Sequence, residues 1–170
     1  MATPRRKLEL ATAAQKKALK AARVMIVESR YYEDIAAELL KGATRALDEA
    51  GVTYDVFEAQ GALEIPAAVA IAFDGGRKTR KAYDGAVALG CVIRGETSHY
   101  DIVAGESARA IMDISIALDM PMGNGILTVD TDAQARARAR PAGEDKGGGA
   151  ARAALTLVRL KRRLVREARR

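Results

Sequence analysis

Tryptophan is absent from this chain, and aromatic residues make up only 4% of its 170 positions. So little flat surface leaves scant material for stacking along a nucleic acid, and the abundant alanine points instead to helices packed closely on a sheet. The single cysteine, Cys91, excludes an intramolecular disulfide. It sits inside an apolar run, so it is expected to be a small buried core residue, and a cytoplasmic setting fits. One histidine, His99, with one cysteine and no carboxylate cluster beside them, makes no zinc or iron site. No stretch approaches a membrane-spanning length, and the basic N-terminus lacks the apolar core of a signal peptide, so neither a span nor secretion is expected. Nucleophile elbows and Walker loops are missing as well: Gly147-Gly148-Gly149 has Lys146 before it and no Lys-Ser/Thr after it.

Basic charge is plentiful but lies at the ends. Residues 1–23 carry seven basic side chains against one acid and residues 152–170 eight against one, which leaves −7 for residues 24–151 out of a total of +6. The basic character belongs to the ends while the candidate core is acidic, which weakens a nucleic-acid reading and leaves the ends either as solvated tails or as arms that meet an acidic partner or polyanion. With 49% apolar residues the chain is long enough to bury a core in one domain. Residues 1–22 are expected to be a basic extension, either a short helix over 8–22 or an arm that orders against a partner, and residues 23–170 a single domain.

From Val24 onward strand and helix signals alternate four times. Strands are expected over 24–27, 52–59, 83–93 and from 122 or 125 to 129. Helices are expected over 34–50, with Gly51 as the stop, and over 65–73, opened by Pro66 and ended by Asp74-Gly75-Gly76. Further helices are expected over 100–118, 132–140 and about 150–167, the last with Leu155, Val158 and Leu164 toward the core. The pattern predicts an α/β three-layer sandwich, a four-stranded parallel sheet flanked by helices on both faces.

The run 83–93 reads as a strand buried on both faces, and it ends abruptly in Arg94-Gly95-Glu96-Thr97-Ser98-His99. Ligands of open α/β sheets collect beyond the carboxyl ends of the strands. Four loops converge there: 28–32, 60–64, 94–99 and 130–132. A Gly-Glu-Thr turn before a helix either presents N–H groups and a hydroxyl to an anion or simply caps that helix. Tyr31 offers a flat face for a heterocycle or else covers a core edge, and Glu64 is either a ligand-binding carboxylate or a first-turn charge. Arg136, Arg138 and Arg140 cannot all face one site from a single helix.

The motifs 61–66 (GALEIP), 88–101 (ALGCVIRGETSHYD), 125–128 (GILT), 134–135 (QA) and 146–147 (KG) occur in that order across roughly residues 24–160. In this set the chain resembles the 6,7-dimethyl-8-ribityllumazine synthases. The resemblance implies condensation of 5-amino-6-(D-ribitylamino)uracil with 3,4-dihydroxy-2-butanone 4-phosphate in riboflavin biosynthesis, without cofactor or metal. By position it implies Tyr31 stacked on the pyrimidine, and Ala62, Leu63 and Glu64 lining the ribityl and ring pocket. Val92 and Ile93 would border the ring, Glu96 N–H and Thr97 would meet the phosphate, and His99 would transfer protons. Arg138 matches a phosphate-binding arginine, and Lys146 a lysine near the same pocket. Asn124 stands where many members have an aromatic reaching in from the neighbouring subunit, and Leu63 replaces a frequent aromatic. The resemblance also implies a homo-oligomer, at least a pentamer, with sites between adjacent subunits; an isolated pentamer is expected rather than a sixty-subunit shell.

Overall fold

The structure, a computed structural model, describes residues 12–169. The elements run α1 (Ala13–Ala18), β1 (Arg23–Ser29), α2 (Glu33–Ala50), β2 (Thr53–Ala59), α3 (Ile65–Lys78), β3 (Gly85–Ile93), α4 (His99–Ala117), β4 (Met122–Val129), α5 (Asp132–Ala139) and α6 (Lys146–Glu167). All pairings among the four strands are parallel, in the order β2-β1-β3-β4. The expected three-layer arrangement is present.

Period-two alternation along the strands builds both cores. Val24 and Ile26 of β1, Val87 and Leu89 of β3, and Leu127 and Val129 of β4 pack with Ile35, Leu39 and Leu47 of α2 and with Leu155 and Val158 of α6. The intervening residues Met25, Val27, Ala86 and Ala88 face the opposite layer, where Ile65 and Val69 of α3 and Ile111 of α4 meet them. Small residues let the backbones approach: a side chain at Gly147 would run into the carbonyl of Leu39, which brings α6 down on α2.

Several boundaries differ from the sequence reading. Helix α3 continues through Asp74-Gly75-Gly76 to Lys78. Gly76 is there for packing, since a Cβ would lie 3.0 Å from the Tyr83 ring and 2.9 Å from the Lys81 carbonyl. The three glycines after Lys146 form the first turn of α6 rather than a spacer before it, because Asp145 caps the helix through Gly148 N–H. Leu164 does not reach the core and is 51% exposed, whereas Leu155 and Val158 are buried. Strand β1 carries on through Glu28 and Ser29, each 4% exposed, which the sequence reading had placed in the loop. Within the described part of the N-terminal extension α1 covers Ala13–Ala18, and residues 8–11 of the expected helix lie outside the described residues.

The strand order reverses between β1 and β3. Helix α2, which follows β1, packs against one face, while α4, which follows β3, packs against the other. Adjacent loops therefore diverge at the carboxyl ends of these two strands, and a crevice opens there.

Candidate active site

A cavity of about 420 Å³ occupies this crevice. Tyr31 and Tyr32 enter from the end of β1, residues 61–64 from the end of β2, and Val92, Ile93, Gly95, Thr97 and His99 from the end of β3. Tyr31 is 73% exposed and meets Tyr32 edge to face, centroids 5.0 Å apart, so one ring supports the other while Tyr31 keeps surface free. The Glu64 carboxylate rests over Gly61, where a Cβ would lie 2.8 Å from Oε2.

The turn 94–99 both opens a helix and lines the cavity. His99 is the first residue of α4, and its N–H donates to Thr97 Oγ1 at 3.4 Å. Ser98, at the N-cap, makes no capping bond. Arg94 holds the turn from outside: Nε donates to Asp130 at 3.2 Å, Nη2 to Asp101 at 3.2 Å, and the guanidinium lies 4.0 Å over the Tyr100 ring. Only three of the four expected loops line the cavity. Residues 130–132 are engaged instead in this Arg94 tie and in capping α5 through Thr131.

Asn124, Arg138 and Lys146 are not in this cavity. They line a second, shallower concavity of about 350 Å³ between β4, α5 and α6. Arg138 Nη1 donates to the Gln134 carbonyl at 3.1 Å, and Lys146 Nζ pairs with Glu144 at 3.2 Å. Arg136 is held elsewhere by Asp34 and Asp132, at 2.5 and 2.6 Å. One chain thus carries two groups of the residues singled out from sequence: Tyr31, Ala62, Leu63, Glu64, Val92, Ile93, Thr97 and His99 in one concavity, and Asn124, Arg138 and Lys146 in another. Glu96 is exposed on the rim and lines neither.

Cys91 departs from its expected place. It is half-buried at the wall of the first cavity, and burial, with the Asp132 charge second, pushes its thiol up to about 12. Burial also raises Tyr32, with further contributions from Tyr31, Cys91 and Asp132. Tyr32 lines the cavity from the expected loop 28–32, while Cys91, Tyr100 and Val103 are lining residues that the sequence reading does not single out. Val103 sits one helical turn after His99, so helical spacing from His99 points to it, whereas Tyr100 is the next residue and lies off that face. Among the described residues no group of three or more His, Cys, Asp or Glu side chains converges on a metal position.

Fold and site define an α/β protein with a cavity at the switch point of a parallel sheet and a separate concavity on the β4 side lined by Arg138 and Lys146. Comparison with known sequences narrows this class. The family model for 6,7-dimethyl-8-ribityllumazine synthase matches residues 21–162. A 6,7-dimethyl-8-ribityllumazine synthase from Afipia carboxidovorans is 53% identical over 98% of this chain and 99% of its own length. Those from Methylorubrum extorquens and Agrobacterium fabrum are each 59% identical, over 82% and 83% of this chain and 81% and 95% of their own lengths. The chain belongs to the 6,7-dimethyl-8-ribityllumazine synthase family, transferases of riboflavin biosynthesis.

Proposed function

We propose that the chain condenses 5-amino-6-(D-ribitylamino)uracil with 3,4-dihydroxy-2-butanone 4-phosphate to 6,7-dimethyl-8-ribityllumazine, releasing phosphate and water, at sites completed between adjacent copies. The observation that carries this reading is the division of the expected residues between two concavities. The first has the pyrimidine-binding and proton-transfer groups, the second the cations. A neighbouring copy that brings its Arg138, Lys146 and Asn124 to the His99 cavity would unite them.

In this reading Tyr31 stacks on the pyrimidine while Ala62, Leu63, Glu64, Val92 and Ile93 enclose the ring and ribityl chain. Glu96 N–H and Thr97 receive the phosphate together with Arg138. The amine attacks the ketone and loses water to form an imine, and phosphate leaves as a proton is taken from the adjacent carbon. The resulting enol becomes a ketone, and attack of the ribitylamino nitrogen on it closes the ring with loss of a second water. His99 moves the protons, a task suited to imidazole near neutral pH. Holding the two reactants in one pocket supplies much of the acceleration, since orientation alone is worth roughly 7–11 kcal/mol in favourable geometry.

Association is supported by apolar surface. Ile102, Met112 and Ile116 of α4 are exposed, Ile116 at 70%, and Ile71 of α3 is exposed as well. A homopentamer is the assembly we assign, with residues 23–170 as one domain and 1–22 as its extension. A cytoplasmic setting belongs to the same reading, and no helix among the described residues is long and apolar enough to cross a membrane.

The test is lumazine fluorescence from the two substrates, with each omitted in turn and with chelator present. Turnover above the unaided reaction, undiminished by chelator, is expected. No acceleration, or activity that chelator removes and added metal restores, would overturn the reading.

A further inference from the structure

Arg138 and Lys146 belong to different helices, and the loop between them ends in Asp145. Asp145 is 7% exposed and adopts a left-handed conformation, φ 48° and ψ 51°. Its carboxylate accepts Gly148 N–H at 3.2 Å on Oδ1, and Arg152 Nη2 at 2.7 Å and Arg45 Nη2 at 3.1 Å on Oδ2. Its own N–H donates to the Arg140 carbonyl at 3.2 Å, and its carbonyl accepts Gly149 N–H at 2.8 Å. One residue therefore joins α2, the end of α5 and the start of α6. The surroundings are shaped to it, since a side chain at Gly42 or Gly148 would collide with the carboxylate.

Capping α6 does not need this arrangement. An asparagine tolerates the left-handed backbone and satisfies an N-cap without burying charge, and a buried carboxylate between two guanidiniums carries a desolvation cost. What the charge adds is a fixed registry: it ties the loop at a strained backbone position to α2 and α6 at once. Lys146 is the next residue, and it lines the same concavity as the Arg138 that α5 presents.

We infer that Asp145 is a positioning residue for the cationic half of the site, holding Lys146 in register with Arg138. The inference rests on the reading that these two cations serve the phosphate-bearing substrate. Without the carboxylate the first turn of α6 loses its anchor to Arg45 and Arg152, and Lys146 shifts relative to Arg138.

The experiment is steady-state kinetics on the assembled enzyme, varying each substrate separately. Asp145→Asn keeps the shape of the side chain and a tolerance for the left-handed backbone but removes the charge. It is expected to raise KM for the butanone phosphate about tenfold, as for loss of a charge-assisted tie, with kcat and KM for the pyrimidine within about twofold. In a Lys146→Met background the same change should have a much smaller effect, because the two act through one group. Gly42→Ala leaves every charge in place and favours the helix, yet displaces the carboxylate; it should reproduce the split and decides alone if Asp145→Asn does not fold. Equal effects on both substrates, full additivity with Lys146→Met, or a lowered melting temperature without the KM split would make Asp145 merely structural and overturn the inference. Arg138→Ala separates the two levels: if it spares the butanone-phosphate KM the functional reading falls, and the inference with it. If Arg138→Ala raises that KM and Asp145→Asn does not, the inference alone falls.

Discussion

At the scale of the residue, the proposed function gives proton transfer to His99 and anion binding to Arg138. His99→Ala should slow turnover while leaving pyrimidine affinity largely intact, because Tyr31 and the apolar walls remain; rate and binding measured on one preparation would show it. An equal loss of both would make His99 structural. Arg138→Ala removes a charge-assisted bond to phosphate worth about 1.5–3 kcal/mol, so the butanone phosphate should bind about tenfold more weakly or worse. Arg136→Ala should do little to that affinity, since Asp34 and Asp132 already engage its guanidinium. Kinetics with each substrate varied would reveal a wrong choice of arginine. Cys91 gives a pH signature. Its folded thiol, at about 12, lies above the ordinary value near 9, so the folded state keeps a proton that the unfolded chain loses. Its contribution is intact below about pH 9 and is lost as pH rises toward 12. Denaturant midpoints should fall between pH 8.5 and about 10.5 by more in the wild type than in Cys91→Ala. A parallel decline in both proteins would refute the assignment.

At the scale of the element, α6 is held by contacts that only glycine permits. Gly147→Ala would press a methyl group into the Leu39 carbonyl and should cost about 1–3 kcal/mol through overpacking. Gly149→Ala meets nothing within 4 Å in the same turn and should stabilise by about 0.5–1 kcal/mol, the usual gain over glycine inside a helix. Thermal melts of the two variants should therefore move in opposite directions, and a shared direction would mean that propensity, not contact, sets the composition of this turn. The sequence reading treated these glycines, like Gly75-Gly76, as punctuation. Glycine has the same signature whether it ends a helix or admits a neighbour, and the neighbour here comes from α2, about a hundred residues earlier in the chain.

At the scale of the whole molecule, the proposed shared site makes assembly itself a prediction, and Ile102, Met112 and Ile116 of α4 are exposed apolar residues where a neighbour would pack. Charge placed among these residues, as in Ile116→Glu, should shift the assembly toward smaller species and lower activity in step with size, because sites would be lost with neighbours. Light scattering on the wild type should give pentamer mass. A sixty-subunit particle would overturn the isolated pentamer, and a fully active monomer would remove the shared site altogether.

The sequence by itself determined the layers, the four strands and the motif around His99. These depend on periodicity and on residues adjacent in the chain, such as Ile35, Leu39, Ala43 and Leu47 on one face of α2, all buried. The strand order, the switch point between β1 and β3, and the separation of Arg138 and Lys146 from His99 depend on which elements pack together, and only the tertiary structure decided them. The same holds for Asp145: its burial depends on Arg45, a hundred positions earlier in α2, which meets its carboxylate together with Arg152 of α6. Local spacing carries information about a residue's own element, whereas long-range contacts fix what that residue meets.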